Sequence, residues 1–160
     1  MPIEIVEAEP GNPVHDLGVV EILDAYAREP AGGGRPLSDE VRSRLPAELR
    51  ALPDAYVWLA LEGPDPVGVA ICFRGFSTFS ARPLLNLHDL AVLPSHRGRG
   101  IGTRLLQTLE ARARDLGCCK LTLEVRGDNP RAHALYARMG FSDFAPGGGS
   151  VPTRFLQKQL

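Results

Sequence analysis

The chain has 160 residues, enough for one domain with a buried core. Hydrophobic residues make up 44% and charged residues 23%, an ordinary balance for a globular protein. The net charge of −1 argues against a generally basic surface, and so against nucleic acid or membrane as a partner.

Residues 2–7 alternate apolar and polar, which predicts a first strand. Leu17, Val20, Leu23 and Ala27 then recur at helical steps, until Pro30-Ala31-Gly32-Gly33-Gly34 breaks the pattern. Ser38 has the character of an N-cap for a second helix carrying Val41, Leu45 and Leu49. Two apolar runs, 55–61 and 67–74, flank Glu62-Gly63-Pro64-Asp65-Pro66 and predict a hairpin. A further strand covers 84–92, and Pro94 ends it. Ile101, Leu105, Leu109, Ala113 and Leu116 mark one face of a helix that closes at Gly117. A strand at 119–125 follows. Asn129-Pro130 opens a helix with Ala132, Leu135, Tyr136 and Met139 as its stripe. Short strands at 141–144 and 153–158 complete a mixed α/β sheet of about seven strands, one domain over 1–160.

Three cysteines, Cys72 and the adjacent Cys118-Cys119, make neither a disulfide framework nor a set at metal-ligand spacing, so no metal is expected. Free thiols fit a reducing cytoplasm. The start MPIEIVEAEP lacks the order of a signal peptide, and no apolar run nears the roughly 20 residues that span a bilayer.

Charge is uneven. Residues 94–114 hold five arginines and one acid, Glu110. Within them lies Arg97-Gly98-Arg99-Gly100-Ile101-Gly102, between a strand and a helix. Glycines let backbone approach a ligand, and a helix start offers unpaired N–H groups to phosphate. The spacing is neither a P-loop nor a dinucleotide fingerprint, since no lysine follows and no third glycine falls in register. A tight turn with solvated arginines explains the residues about equally well.

From 84 to 144 the chain resembles the GNAT superfamily of acyl-CoA N-acyltransferases. Its signature Arg/Gln-x-x-Gly-x-Gly/Ala is met by Arg97, Gly100 and Gly102, with LHDLAV before it and LTLEV, Asn129, Ala132, Leu135-Tyr136 and Gly140-Phe141 after it. The resemblance implies a mostly antiparallel sheet with flanking helices, splayed between its fourth and fifth strands. It implies acetyl-CoA as co-substrate. Backbone N–H groups of Arg97, Gly98, Arg99, Gly100, Ile101, Gly102 and Thr103 would hold the pyrophosphate. Leu90, Ala91 and Val92 would pair with the pantetheine arm, and Asn129 would contact that arm or cap its helix. Tyr136 would protonate the leaving thiolate. The acceptor would be an amine, on a small molecule or a protein, and the family resemblance admits a homodimer. The competing function is a non-catalytic acyl-CoA-binding module on the same fold.

Acyl transfer to an amine also needs a base, because a lysine-like amine arrives protonated. By simple alternation Asn86, His88, Leu90 and Val92 share one strand face, and Leu87, Asp89 and Ala91 the other. LNLHDLAV is similar to the strand of the serotonin N-acetyltransferases, in which two histidines work through water. His88 matches the second, while Asn86 stands in place of the first. Asp89 reaches the same site if a bulge rotates the strand. Glu124, sharing a face with Thr122, is the third candidate. His15, His96 and His133 read as structural or surface groups.

Overall fold

The apolar runs on either side of Gly63-Pro64 pair as the expected antiparallel hairpin, β2 (Ala55–Glu62) and β3 (Asp65–Ser77). β1 (Ile3–Glu7) lies antiparallel on the outer side of β2, and β4 (Arg82–Val92) antiparallel on the far side of β3. β5 (Leu121–Leu123) adds in parallel to β4, giving the order β1-β2-β3-β4-β5. This is a computed structural model, and it describes residues 1–143 and 154–160. The chain divides into two units, Met1–Leu123 and Glu124–Leu160.

In the first unit, α1 (Pro13–Ala27) begins at Asn12, whose side chain accepts from the N–H groups of Val14 and His15. Its buried face includes Gly18, Val19, Val20 and Ile22, and of these Val19 and Ile22 cluster with Leu59, Val69, Ile71 and Ala91. Leu17, placed in the apolar stripe by periodicity, is 60% exposed. The helix rests on the sheet through the neighbouring positions instead, where Gly18 and the Pro66 ring come close. α2 (Asp39–Ala51) starts at Ser38, which accepts from Val41 N–H as an N-cap should. On the other face, α3 (Ile101–Asp115) buries Ile101, Leu105, Leu109 and Ala113 of the stripe read from the sequence, together with Leu106, while Leu116 is its C-cap and only half-buried. Gly68 permits that approach: a Cβ there would meet Ile101 Cγ2 at 3.1 Å and Ala60 Cβ at 3.3 Å.

The second unit contains α4 (Pro130–Arg138), capped by Asn129 and half-buried along Ala132, Leu135, Tyr136 and Met139. Five strands occur among the described residues, not seven. Residues 141–143 and 154–158 are not strands, and the rest of the two expected segments lies outside the described residues. Phe141 N–H is taken by the Tyr136 carbonyl at 3.0 Å, closing the helix where the sixth strand was expected to begin.

Candidate functional site

β4 changes phase in its middle. Its pairing with β3 slips between Ile71 and Cys72, so that Ile71 faces Asp89 while Cys72 faces Leu87 and His88 is the extra residue. A bulge of this kind keeps both of its residues near one face. Asn86 opposes Phe73, Asp89 opposes Ile71 and Ala91 opposes Val69, all on the α1 side. His88 joins them, its ring edge-on to Phe73 with centroids 5.3 Å apart. Leu90 and Val92, opposite Ala70 and Gly68, face α3. The alternation expected from the sequence is therefore corrected: Asp89 shares its face with Asn86 and His88, and Leu90 does not. His88 is exposed. Burial pushes the Asp89 carboxyl above the usual carboxylate range, and His88 opposes that rise.

The backbone re-phases with the side chains. Leu85 N–H donates to Lys120 at 3.2 Å, toward β5, whereas Leu93 N–H donates to Val67 at 2.9 Å, toward β3. By alternation Ala91 also turns its polar groups to β3, leaving Leu90 and Val92 to face outward. Of the three residues expected along the pantetheine arm, Ala91 is thus committed to the sheet. Pairing with β5 covers only Leu85–Leu87, so 88–92 have no strand neighbour on that edge among the described residues. Asn86 fastens the middle of that pairing, its Nδ2 donating to Thr122 Oγ1 at 3.0 Å.

The glycine-rich loop follows the free edge. Gly98 and Gly100 both have φ 76°, a left-handed conformation that disfavours any side chain, and a Cβ at either would meet no protein atom within 4 Å. Gly100 is the N-cap of α3 and has no side chain to cap with. The N–H groups of Ile101, Gly102 and Thr103 therefore point out without intrahelical acceptors. Arg97 N–H, expected to join them, turns back to Pro94 at 3.4 Å.

The arginine side chains do not form the open positive field that the sequence suggested. Arg97 donates from Nε to the Val92 carbonyl at 2.9 Å and from both terminal nitrogens to the Glu29 carboxylate. Arg99 pairs with Glu62, and Arg104 donates to the Ile3 carbonyl at 2.7 Å. Glu62 also meets His96 Nε2 at 3.1 Å, and Arg99 and His96 together hold its carboxyl down at about 2. Glu29 was not singled out in the sequence, since nothing local links it to a partner 68 residues on. Its backbone carbonyl accepts from Gly32 and Gly34, which orders the glycine run after Pro30.

In the second unit, Asn129 Oδ1 accepts from Ala132 N–H at 3.2 Å. The Tyr136 and Phe141 rings meet edge-on at 5.7 Å. Glu124 is exposed and lies one residue past the end of β5, so it shares no strand face with Thr122. His15 accepts from Glu9 N–H, and His133 Nε2 meets the Arg126 carbonyl at 3.0 Å. Trp58 is core, while Phe76 and Phe79 on the β3–β4 hairpin are 62% and 95% exposed. Among the described residues no three His, Cys, Asp or Glu side chains gather as metal ligands, and no helix is long and apolar enough to cross a membrane.

Comparison with known proteins gives the class. A sequence model of the acetyltransferase (GNAT) family matches residues 19–141. The chain belongs to that family. Thialysine N-epsilon-acetyltransferase of Bos taurus is 35% identical over 94 residues, which are 59% of this chain and 55% of that protein. The chain spans about half the length of the curated relatives it matches. A putative acetyltransferase from Agrobacterium tumefaciens str. C58 superposes with a TM-score of 0.72 at 25% identity, covering 94% of this chain and 99% of that one. An aminoglycoside acetyltransferase from an uncultured soil metagenomic sample, solved with sisomicin, is similar in fold, with a TM-score of 0.76 at 16% identity over 98% of this chain and 97% of that one.

Proposed function

We propose that residues 1–160 form one acyltransferase domain that moves an acetyl group from acetyl-CoA to a primary amine by direct attack on the thioester. One juxtaposition carries the reading: an outward-facing strand edge at Leu90 and Val92 leads directly to an uncapped helix start at Gly98–Thr103. The first suits an amide-bearing arm laid alongside as an added strand, and the second suits a pyrophosphate. The sheet would open between β4 and β5 beyond Leu87 to admit the arm, with Asn129 bracing the opening. Cytoplasmic residence and a homodimer belong to the same proposal.

The chemistry needs a neutral amine, a polarised thioester and a protonated leaving group. An aliphatic amine of pKa about 10.4 must lose a proton. His88 and Asp89, brought to one face by the bulge, are the bases best placed to take it, and the exposed Glu124 ranks behind them. The amine nitrogen then attacks the carbonyl carbon, an oxyanion forms, the nitrogen releases its second proton to solvent, and collapse of the oxyanion breaks the C–S bond. Tyr136 would give the thiolate its proton, since a phenol of pKa near 10 can protonate a thiolate whose acid has pKa near 8.5.

The test is acetyl-CoA with a panel of amines, read by thiol release, alongside CoA-dependent thermal stabilisation. Gly100→Val should remove the stabilisation while the apo protein stays folded. Absence of any stabilisation by CoA in the wild type would sink the reading. Stabilisation without turnover on any amine would identify a binding module instead.

A further inference from the structure

Asn86 is half-buried in β4, just before the bulge, and its amide is held in one orientation. Its Nδ2 reaches two oxygens of Thr122, the Oγ1 at 3.0 Å and the main-chain carbonyl at 3.4 Å. A carbonyl oxygen only accepts, so the atom facing it is the amide nitrogen, and the side chain cannot be read the other way round. Asn86 Oδ1 is thereby turned away from Thr122. No donor among the described residues reaches it. The one buried side-chain atom without a partner among the described residues is Arg112 Nε, so Oδ1 opens to solvent rather than being sealed in.

Its neighbours are the two groups best placed as bases. Asn86 opposes Phe73, whose ring also meets the His88 ring edge-on at 5.3 Å, and Asp89 opposes Ile71 on the same face. A fixed acceptor thus stands beside two groups able to take a proton, where the seam with β5 runs out after Leu87. On the acyl-transfer reading, a pyrophosphate at the start of α3 sends the pantetheine arm back along Val92 and Leu90, so its thioester end arrives at this point.

A count of hydrogens tells what such an acceptor distinguishes. A protonated primary amine carries three on nitrogen. One goes to the base, one leaves after attack, and the third stays on nitrogen in the amide product. That third hydrogen is never transferred, so it can donate to a fixed oxygen from binding through to product. A protonated secondary amine carries two and loses both, and an alcohol loses its only one. Neither keeps a hydrogen for the oxygen once the new bond to carbon is complete.

We propose that Asn86 Oδ1 accepts the hydrogen that a primary amine retains, and so selects primary amines over secondary amines and alcohols. Thr122 holds the amide in place for that contact. The inference rests on the acyl-transfer reading and adds to it the residue that chooses the acceptor class.

The test compares benzylamine, tyramine and agmatine with their N-methyl counterparts, by thiol release from acetyl-CoA. Asn86→Leu keeps the size of the side chain but removes the acceptor. It should lower kcat/KM for the primary amines roughly tenfold, the loss of one hydrogen bond, and leave the N-methyl amines within about twofold. Thr122→Val removes Oγ1 at nearly constant shape and should reduce the preference roughly threefold, because the amide is then less firmly aimed. Thr122→Ser should restore it. CoA should stabilise each variant against heat as it does the wild type. A purely structural role for Asn86 moves both amine classes together, so an unchanged preference in Asn86→Leu overturns the assignment. If that variant does not fold, an unchanged preference in Thr122→Val overturns it instead. A wild type that gains no stability from CoA, or releases no thiol with any of these amines, overturns the acyl-transfer reading and this assignment with it; turnover with the preference unmoved overturns this assignment alone.

Discussion

The ion pair between Glu29 and Arg97 joins the segment after α1 to the loop before α3, and removing it should cost both stability and cofactor affinity. The two side chains are 29% and 24% exposed, so the pair lies between the limits for surface and buried ion pairs. A surface pair contributes about 0.2–1 kcal/mol and breaking a buried one costs about 3–5. The two parallel bonds from Arg97 to one carboxylate favour the upper part of the surface range and beyond. With screening allowed for, Glu29→Gln or Arg97→Gln should each cost about 1.5–2 kcal/mol, or roughly 3–7 °C in Tm for a chain of this size. The double variant should be little worse than either single one, leaving a coupling of about 1 kcal/mol. Thermal unfolding measures this, and CoA titration measures the consequence. Because Arg97 also holds the Val92 carbonyl, loosening it should disorder the strand end and the loop together. CoA should then bind several-fold more weakly in both single variants, with kcat changed little. Additive losses of Tm would refute the coupling. Tighter CoA binding in Glu29→Gln would show that Arg97, once released, serves the phosphate, and the positioning role would be wrong.

Other outcomes follow from the same geometry. Tyr136→Phe should lower kcat by roughly 10²-fold or more, typical of a lost general acid, with CoA affinity nearly unchanged. Asp89→Asn should lower kcat/KM yet raise Tm at neutral pH. Its carboxyl is raised in the folded state, so the stability it contributes is complete below the unfolded carboxylate pKa and is lost as pH climbs through the folded one, a loss the neutral amide avoids. His88→Gln should shift the lower limb of the kcat/KM profile if the histidine takes the proton; a limb unmoved in both variants would leave the free amine as the titrating group. Glu62 behaves in the opposite sense: its pKa falls from 4.5 to about 2, so its stabilisation holds above pH 4.5 and fades as pH falls toward 2. An acid series of melting curves should be shallower in Glu62→Gln over that window, and parallel curves would contradict the pairing.

Much of this was legible because it is local. The periodicity of Ile101, Leu105, Leu109 and Ala113 fixes the buried face of α3, and the Ser38 and Asn129 caps start their helices where side-chain oxygen meets N–H. The loop motif identified the family. What escaped was set by contacts between distant segments. Val20 and Leu23 of the expected α1 stripe do reach the core, but Leu17 at its start does not, because there the helix meets the sheet through Gly18 against the Pro66 ring. The arginines looked like free charge because their partners, Glu29, Glu62 and the Ile3 carbonyl, lie far away along the chain. The bulge at His88 has no composition of its own, so strict alternation put Asp89 on the wrong face.

That extra residue makes β4 a strand with two addresses. Before it, the outward groups are those of Leu85 and Leu87, which speak to β5; after it, they are those of Leu90 and Val92, which speak to no strand in the sheet. An unbulged strand of the same length keeps a single phase, so it could not present Leu87 and Leu90 on one edge. Shortening the strand by deleting His88 would force a choice, with either the β5 pairing or the open edge sliding out of step. Loss of CoA affinity at preserved Tm would mean the open edge gave way, and loss of Tm would mean that the β5 seam did.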